Sequence, residues 1–403
     1  MKAAVNSGSE SRKQSSWATA RPVFWAMLAL GLLVRILVAY FFLGSTDVKR
    51  WLFFSGLIEQ GAYRELYFSD NPLWNHPAPV ILFMKLVAWL QNSIGLPFHF
   101  ALKLLPVFAD MGVSALVYHM GSRRFGATGA LWLMASYVAS PAAIAISGYH
   151  GNTDCIMMLF VLLTVTAFGK RPSLAALFFG LAISTKYAPL LLLPLFVLRC
   201  RNFGAALKFV ALSSLPVILF SAVFVHPFPE RALANIATYN STPDAWGLGH
   251  VRALLESGWL GAPGKGVMLS ITDLLLAWSK TLIVLGACSI AVLGRFRPNV
   301  SLVETAALTM GLFFALTPGF GVQYTVWLLP LFILAAPGLG TIFNVAMSHF
   351  VVNAFMIGQV NDMDMVNPEV RVTAFSVVGW VAVVAFVMRG FQSLIKPGAT
   401  EPP

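Results

Sequence analysis

The chain of 403 residues is 58% hydrophobic and only 11% charged, whereas a soluble domain is about one quarter charged. This composition excludes an ordinary soluble domain, because most of the surface must face lipid or other buried helices. The formal net charge is +11, but Lys and Arg lie mostly in short clusters between apolar runs, as membrane orientation requires. That placement argues against nucleic-acid binding, and the three cysteines lack the paired spacing of a disulfide framework or a metal site.

In chain order, the polar and basic segment 1–21 predicts a disordered cytosolic tail. The next run, 22–43, is too long for the apolar core of a signal peptide and predicts a retained first transmembrane helix. Further apolar runs follow, and within lipid a backbone satisfies its hydrogen bonds only in helices or closed barrels. We therefore predict an all-α, polytopic membrane domain at 22–391 with about 12 transmembrane helices, then a cytosolic tail at 392–403.

The apolar run 78–94 decides the predicted topology. All the basic clusters between later runs can lie in the cytosol only if this run does not cross the membrane. It follows a proline-rich turn and contains Lys85, so we predict an interfacial helix that lies flat on the bilayer. The polar loops then fall on the outer face. Two later runs, 173–184 and 187–198, are short for a full crossing and predict a broken or tilted pair.

Asp47 directly follows the first predicted helix, on the outer face. A carboxylate in this position can act as a general base toward an attacking hydroxyl group. It can also be a solvated carboxylate at a helix end that pairs with Lys49 or Arg50. Taken alone, the residue favours the second interpretation.

The turn 147–154 and Lys186 supply polar groups next to apolar runs. Two glycines allow the turn to approach a ligand closely, although Asp154 also suits the positive end of a helix dipole. His150 either acts on a substrate or bonds a loop carbonyl. An ammonium at Lys186 can neutralise a phosphate leaving group, or it can extend to the lipid headgroups.

Two later outer segments contain the remaining candidates. His250 and Arg252 lie in a large loop beside glycines and Trp246. This loop can form a cap over a site, or Trp246 can only anchor the loop at the membrane interface. Tyr324 lies at the outer end of a late pair of helices, where it adds a further polar group.

The order of these motifs resembles polytopic glycosyltransferases of the GT-C fold, which use polyprenyl-phosphate sugars, and is most similar to bacterial mannosyltransferase-like members. Many members have two adjacent acidic residues after the first helix, whereas Thr46 precedes Asp47 here, and Asp154 is the available second carboxylate. The matching motifs cover most of the chain: Asp47, Asn75-His76-Pro77-Ala78-Pro79, Gly148 to Asp154, Gly180 through Lys186 to Pro194, Trp246 to Gly249, and Gln323-Tyr324 through Trp327 to Pro330.

The resemblance implies inverting transfer of a sugar, first of all mannose, at the periplasmic or exterior face of the plasma membrane. The implied partners are a polyprenyl-phosphate-linked sugar, a lipid-linked or glycan acceptor and the bilayer, with no nucleic acid. It implies interfacial helices in the first outer loop and Asp47 as the catalytic base. No cofactor is required, and a divalent cation at Asp47 and Asp154 stays open. The predicted substrate-binding residues are Asp154, Lys186, His150, His250, Arg252 and Tyr324.

A multi-pass transporter or lipid flippase is the main alternative. Transporters commonly contain internal repeats and ionisable residues near the bilayer midplane, whereas this sequence has no evident repeat and its ionisable residues gather at one face. Arg35 is the exception within the first helix, and we predict a structural pair with a carboxylate such as Asp110. A polymerase or ligase of surface polysaccharide and a non-catalytic scaffold are further alternatives.

Overall fold

The computed structural model describes most of the chain, namely residues 2–70, 73–237, 239, 241–243, 246–257, 264–297, 299–360 and 374–395. Nearly all of these residues are helical, which confirms the predicted all-α class. Two short strands, β1 (Thr242–Pro243) and β2 (Gly319–Phe320), pair antiparallel and join the large loop to a later turn.

Helices account for the remaining elements. Those of the first half of the chain are α1 (Lys2–Phe41), α2 (Thr46–Glu59), α3 (Tyr63–Phe68), α4 (Val80–Ile94), α5 (Phe98–Val138), α6 (Pro141–Ile144), α7 (Asp154–Ala167), α8 (Pro172–Thr185) and α9 (Leu193–Leu198). Those of the second half are α10 (Phe203–Phe224), α11 (Pro229–Ala237), α12 (Gly247–Glu256), α13 (Lys265–Arg295), α14 (Leu302–Leu316), α15 (Thr325–Ala335), α16 (Pro337–Val360) and α17 (Ala374–Ile395).

Six of the described helices are long and apolar enough to cross a membrane, by length and composition. Such segments are expected where a helix must cover the hydrocarbon thickness of a bilayer. The chain is therefore a membrane protein. The six segments are Ala20–Phe41, Phe98–Val138, Phe203–Phe224, Lys265–Arg295, Pro337–Phe355 and Phe375–Ile395.

The first connection contains short helices instead of an extended loop. Helix α4 has 15 residues, about 22 Å at the usual rise per residue, which is shorter than the roughly 30 Å of a bilayer core. It buries Ile81 and Met84 against α2 and α5, and it exposes Leu82, Leu86 and Trp89 on another face. Its position flat on the membrane stays a prediction.

Two local features differ from the sequence-based description, and one agrees with it. Helix α1 begins at Lys2, so the predicted disordered tail is helical here, because its Ala, Glu, Gln, Lys and Arg residues favour extension of an established helix. Gly126, with φ of 70°, interrupts α5, which covers both the apolar run predicted at 100–120 and most of the next one, predicted at 127–146. The short pair 173–184 and 187–198 is indeed broken, since α8 ends at Thr185 and a 3₁₀ turn begins at Ala188. Helix α17 reaches Ile395, and the rest of the predicted tail at 392–403 lies outside the described residues.

Several basic residues meet at one end of the bundle. The Arg124 guanidinium lies 2.7 Å from the Glu304 carboxylate at the start of α14, and Arg199 donates to the carbonyl oxygens of Gly294 and Val300. Helix α14 has 15 residues, so its two ends are separated by about 20 Å. The opposite end of α14 reaches the polar cavity described below.

The predicted pair between Arg35 and Asp110 is confirmed inside the helical core. Arg35 Nε lies 2.6 Å from Asp110 Oδ2, and both side chains are completely buried. The Asp110 carboxylate also accepts hydrogen bonds from the Tyr137 and Ser147 hydroxyl groups. Because a buried charge is tolerated only when it is paired and hydrogen-bonded, this cluster joins α1, α5 and the segment after α6 at fixed positions.

Candidate active site

A polar cavity of about 470 Å³ lies at the end of the bundle opposite the basic cluster. It forms where α1, α8 and α14 end and where α2, α7 and α15 begin. Side chains from these separate ends therefore converge on one space. Its lining includes Asp47, Arg50, Trp51, His76, Asn152, Lys186, Tyr239, Phe313, Gln323, Tyr324 and Trp327.

Gly44 brings the Asp47 segment against the turn after α6. Its φ of 106° is disfavoured for residues with a side chain, and a Cβ atom there would lie 2.5 Å from the Tyr149 carbonyl oxygen. Ser45 then caps α2 by accepting a hydrogen bond from the Asp47 amide. This close backbone approach places Asp47 at the cavity wall.

We expect Gly44→Ala to lower the free energy of unfolding by at least about 1–3 kcal/mol, the cost of one residue in a disfavoured backbone region. The contact with the Tyr149 carbonyl adds to this cost because a backbone atom cannot rotate away. Urea unfolding in mixed micelles, followed by tryptophan fluorescence, measures the change. Gly56→Ala is the matched control, since a Cβ atom at Gly56 meets nothing within 4 Å and alanine favours helix. Equal unfolding curves for the two variants would contradict the expectation.

The Asp47 carboxylate has three polar neighbours and is 17% exposed. Oδ1 accepts a hydrogen bond from Arg50 at 3.0 Å, which confirms one pair that the sequence allows. Oδ2 accepts from the Asn152 side-chain amide at 3.4 Å and lies 3.3 Å from His150 Nε2. The carboxylate is thus held at the wall of the cavity, where it can take a proton from a bound hydroxyl group.

Asp154 and Lys186 form a second polar unit below the cavity. Lys186 Nζ donates to both carboxylate oxygens of Asp154, at 2.9 and 3.0 Å, and the Trp327 indole N–H donates to the same carboxylate. Asp154 is completely buried, whereas Lys186 lines the cavity. Asp154 therefore holds the Lys186 ammonium in place, and Lys186 is the member of the pair that meets a ligand.

Aromatic rings form two walls of the cavity. Tyr324 and Trp327 stack with their centroids 3.9 Å apart, and the Lys186 ammonium lies 5.5 Å from the Trp327 ring centroid. On another wall, His76 packs on Trp51 with a centroid separation of 4.6 Å. Flat apolar faces beside polar groups suit a ligand that has both kinds of surface.

Among the described residues, His76 is the histidine that lines the cavity. Burial, and then the nearby charge of Lys186, hold the pKa of its imidazole well below the usual value. The ring is therefore neutral at pH 7, with one nitrogen able to donate a hydrogen bond and the other able to accept one.

Four of the seven predicted site residues gather at or directly below the cavity. Asp47, Lys186 and Tyr324 line it, and Asp154 contacts Lys186 from below. His150 is also close, but it is buried behind Asp47 and is absent from the described lining.

His250 and Arg252 do not belong to the described lining of the cavity. Both lie on α12, where His250 Nδ1 is 3.2 Å from the Ser376 hydroxyl oxygen of α17. Arg252 contacts Asp273 and Glu256 at 2.8 and 2.9 Å. This part of the loop forms a helix that packs on α13 and α17. That packing directs the two side chains away from the cavity.

Sequence reasoning missed Arg50, Asn152 and His76 as cavity residues. Arg50 was named only as a partner of Asp47, and Asn152 and His76 lie within the quoted motifs, so the segments were found but the contacts with the cavity were not. Arg50 follows Asp47 by three positions, a spacing that places both on one face of a helix. Asn152 and His76 offer no comparable periodic signal because both lie in irregular turns.

A resident metal has no clear set of ligands in the described part of the chain. No group of three or more His, Cys, Asp and Glu side chains is positioned there to hold a metal ion. The predicted divalent cation at Asp47 and Asp154 stays a prediction, and the Asp154 oxygens already face Lys186 and Trp327.

The fold and the site define an all-α membrane protein with a polar, aromatic-walled cavity at one end of its helical bundle. No known family model matches the chain, and no curated protein sequence matches it.

Proposed function

We propose that the chain is an inverting glycosyltransferase that moves a sugar from a polyprenyl-phosphate donor to a lipid or glycan acceptor, with mannose as the first candidate sugar. The observation that carries the proposal is the presence of the Asp47 carboxylate and the Lys186 ammonium on one cavity. A base and a cation are the two groups that this reaction needs, for the acceptor proton and for the departing phosphate. The resemblance of the motif order to GT-C glycosyltransferases supports the same reaction.

In the proposed reaction, the acceptor hydroxyl oxygen forms a bond to the anomeric carbon while the bond from that carbon to the phosphate oxygen breaks. The electron pair of the broken bond leaves with polyprenyl phosphate, and the hydroxyl proton passes to Asp47. Attack on the face opposite the leaving group inverts the anomeric configuration without a covalent intermediate. Lys186 stabilises the negative charge that grows on the phosphate.

The walls of the cavity suit such a donor. Tyr324, Trp327 and Trp51 offer apolar ring faces to a sugar or to the first isoprene units. Neutral His76 offers one donor and one acceptor to sugar hydroxyl groups. Arg50 adds a second cation near the phosphate, although it also bonds Asp47.

The proposed location is the plasma membrane, with about 12 crossings in a GT-C-like arrangement and the cavity on the exterior or periplasmic side. The basic residues that meet at the opposite end of the bundle support this orientation, because Lys and Arg accumulate on the cytosolic side. Nucleotide sugars are confined to the cytosol. A sugar used at the outer face must therefore arrive on a lipid phosphate.

The proposal is tested with the purified protein in nanodiscs, radiolabelled polyprenyl-phosphate mannose and a membrane lipid extract as acceptor. We expect the radiolabel to appear in a new glycolipid or glycan. Mild acid hydrolyses the donor, whereas this product should resist it. Parallel reactions with glucose and arabinose donors identify the sugar. Absence of transfer with all three donors would contradict the proposal and favour the transporter alternative.

We expect Lys186→Met to raise the KM for the lipid-phosphate donor about 10- to 100-fold, the effect of losing a hydrogen bond to a charged group, and to lower kcat as well, because the charge on the phosphate grows during the reaction. The KM for the acceptor should change much less, because Lys186 is proposed to contact the phosphate. Steady-state transfer rates at varied donor and acceptor concentrations measure both values. Lys49→Met is the matched control, since Lys49 is exposed and does not line the cavity. An equal rise in both KM values would refute the phosphate contact.

A further inference from the structure

His150 lies directly behind the proposed base. Its side chain is 1% exposed, its ring stacks on Phe355 with a centroid distance of 5.4 Å, and it belongs to a single π-helical turn, Ala145–His150. π-Helical turns occur frequently at functional sites. Such a turn points a side chain in a direction that a regular α-helix would not. This turn directs the ring toward Ser45 and Asp47.

The two ring nitrogens face different groups. Nδ1 lies 2.7 Å from the Ser45 hydroxyl oxygen, and that oxygen also accepts a hydrogen bond from the Asp47 amide at 3.3 Å. Nε2 lies 3.3 Å from Asp47 Oδ2 and has no other hydrogen-bond partner in the described structure. The imidazole thus bridges the hydroxyl that caps α2 and the carboxylate of the second residue in the same helix.

The Ser45 hydroxyl group has one hydrogen and two acceptor sites, one of which the Asp47 amide occupies. Asp47 Oδ2, beside Nε2, can only accept, so the arrangement that satisfies both ring nitrogens has the Ser45 hydrogen pointing at Nδ1. Nδ1 is then the acceptor, and the proton of a neutral imidazole must lie on Nε2. The Nε2–H group faces the Asp47 carboxylate, which is the favourable arrangement for a negatively charged oxygen.

We propose that Ser45 and His150 are positioning residues for Asp47: Ser45 selects the Nε2–H tautomer of His150, and Nε2–H holds the Asp47 carboxylate in its reactive orientation. This inference rests on the proposed function for its kinetic consequences. It gives His150 a role behind the base instead of the predicted contact with substrate. The closure from 3.3 Å to a full hydrogen bond requires only a small movement of the carboxylate.

Burial, more than the surrounding charges, keeps the His150 ring neutral. Burial lowers the pKa of His150 most strongly; Asp47 and Asp154 raise it, while Lys186 and Arg50 lower it, and the net pKa is below the usual value. When the ring takes up a proton at acidic pH, Nδ1 gains a hydrogen and can no longer accept from Ser45. The positive ring also makes Asp47 a weaker base, so the transfer rate falls as pH decreases through this titration.

The first test does not depend on activity. The protein is labelled with ¹⁵N at its 7 histidines, and the His150 signals are identified by their loss in His150→Gln. We expect a protonated Nε2 and an unprotonated Nδ1 above about pH 6.5, the ordinary pKa of histidine. In Ser45→Ala we expect a mixture of both tautomers. A dominant Nδ1–H tautomer, or an unchanged tautomer in Ser45→Ala, would overturn the inference.

The second test compares His150→Ala with His150→Gln in the transfer reaction. We expect the alanine variant to lower kcat about 10- to 100-fold, the effect of one hydrogen bond to a charged group, with little change in the donor KM. We expect the glutamine variant to regain most of the rate, because its side-chain N–H can reach Asp47. On the acidic side of the pH–rate profile, the rate of this variant should fall less steeply than that of the wild type, because glutamine cannot take up a proton as histidine does. Full activity of the alanine variant, or identical acid limbs for wild type and glutamine variant, would refute the positioning role.

The two proposals fail separately in these experiments. Loss of transfer in Asp47→Asn with full transfer in His150→Ala would overturn the positioning role and leave the proposed function standing. An inactive wild-type protein with every donor would contradict the proposed function, whereas the histidine signals would still decide the tautomer that Ser45 selects.

Discussion

We expect Asp47→Asn to lower the proposed sugar transfer about 10²- to 10⁴-fold, the usual contribution of a general base. Asparagine keeps the shape of the side chain and can still accept the Arg50 hydrogen bond that Asp47 Oδ1 accepts. It cannot take a proton from the acceptor hydroxyl group. The loss should therefore appear in kcat, with a small change in the KM for the donor. Initial rates with the lipid-phosphate sugar in nanodiscs measure both quantities.

Asp273→Asn is the matched control for this variant. Asp273 also pairs with an arginine, Arg252, at 2.8 Å, but it is more than half exposed and does not line the cavity. Wild-type rates are expected for the control. If Asp47→Asn transfers sugar at the same rate as Asp273→Asn, Asp47 is not the catalytic base. The proposed enzyme class would then require another base.

The second large effect is on stability. Asp110→Ala should lower the free energy of unfolding by about 3–5 kcal/mol, because it leaves the completely buried Arg35 guanidinium without its counter-charge. The Tyr137 hydroxyl group also loses its acceptor, whereas the Ser147 hydroxyl group can still donate to the Ala143 carbonyl oxygen at 2.8 Å. Urea unfolding in mixed micelles, followed by tryptophan fluorescence, measures the loss.

The double variant Arg35→Met/Asp110→Leu provides the control for the charge effect. It removes both members of the pair and replaces them with apolar side chains of similar size, a change that is often close to neutral in a protein interior. We expect it to be more stable than Asp110→Ala alone. If the single variant is as stable as wild type, the buried pair does not hold α1 against α5 as described.

Much of the fold was predictable because apolar length and charge placement act locally along a membrane chain. The helical class, the break after α8 and the Arg35–Asp110 pair all follow from such patterns. The helical structure of 2–21 did not follow, because a polar composition signals exposure to water and does not exclude a helix that continues from an apolar one.

The site was only partly predictable because its side chains meet through packing between distant segments. The ends of successive helices return to the same side of the bundle, so Asp47, Lys186 and Tyr324 were expected to lie together, and they do. The contact of Asp154 with Trp327 joins residues 173 positions apart. No spacing in the sequence could show that Asp154 serves as the partner of Lys186.

The histidines also show that sequence patterns do not predict which side chains face the cavity. His150 and His250 both lie beside glycines in polar motifs, and sequence patterns treat them alike. The π-helical turn directs His150 toward Asp47, whereas α12 directs His250 toward Ser376. His76, which no pattern singled out as a site residue, faces the cavity because it packs on Trp51.

The most direct test of the glycosyltransferase proposal is to quantify polyprenyl phosphate and new glycoside in the same nanodisc reaction with the wild-type protein. If the proposal holds, the two products form in equal molar amounts, and the anomeric configuration of the glycoside is inverted relative to the donor. Movement of intact donor between the leaflets of a proteoliposome, without release of polyprenyl phosphate, would contradict it and identify the protein as a lipid transporter.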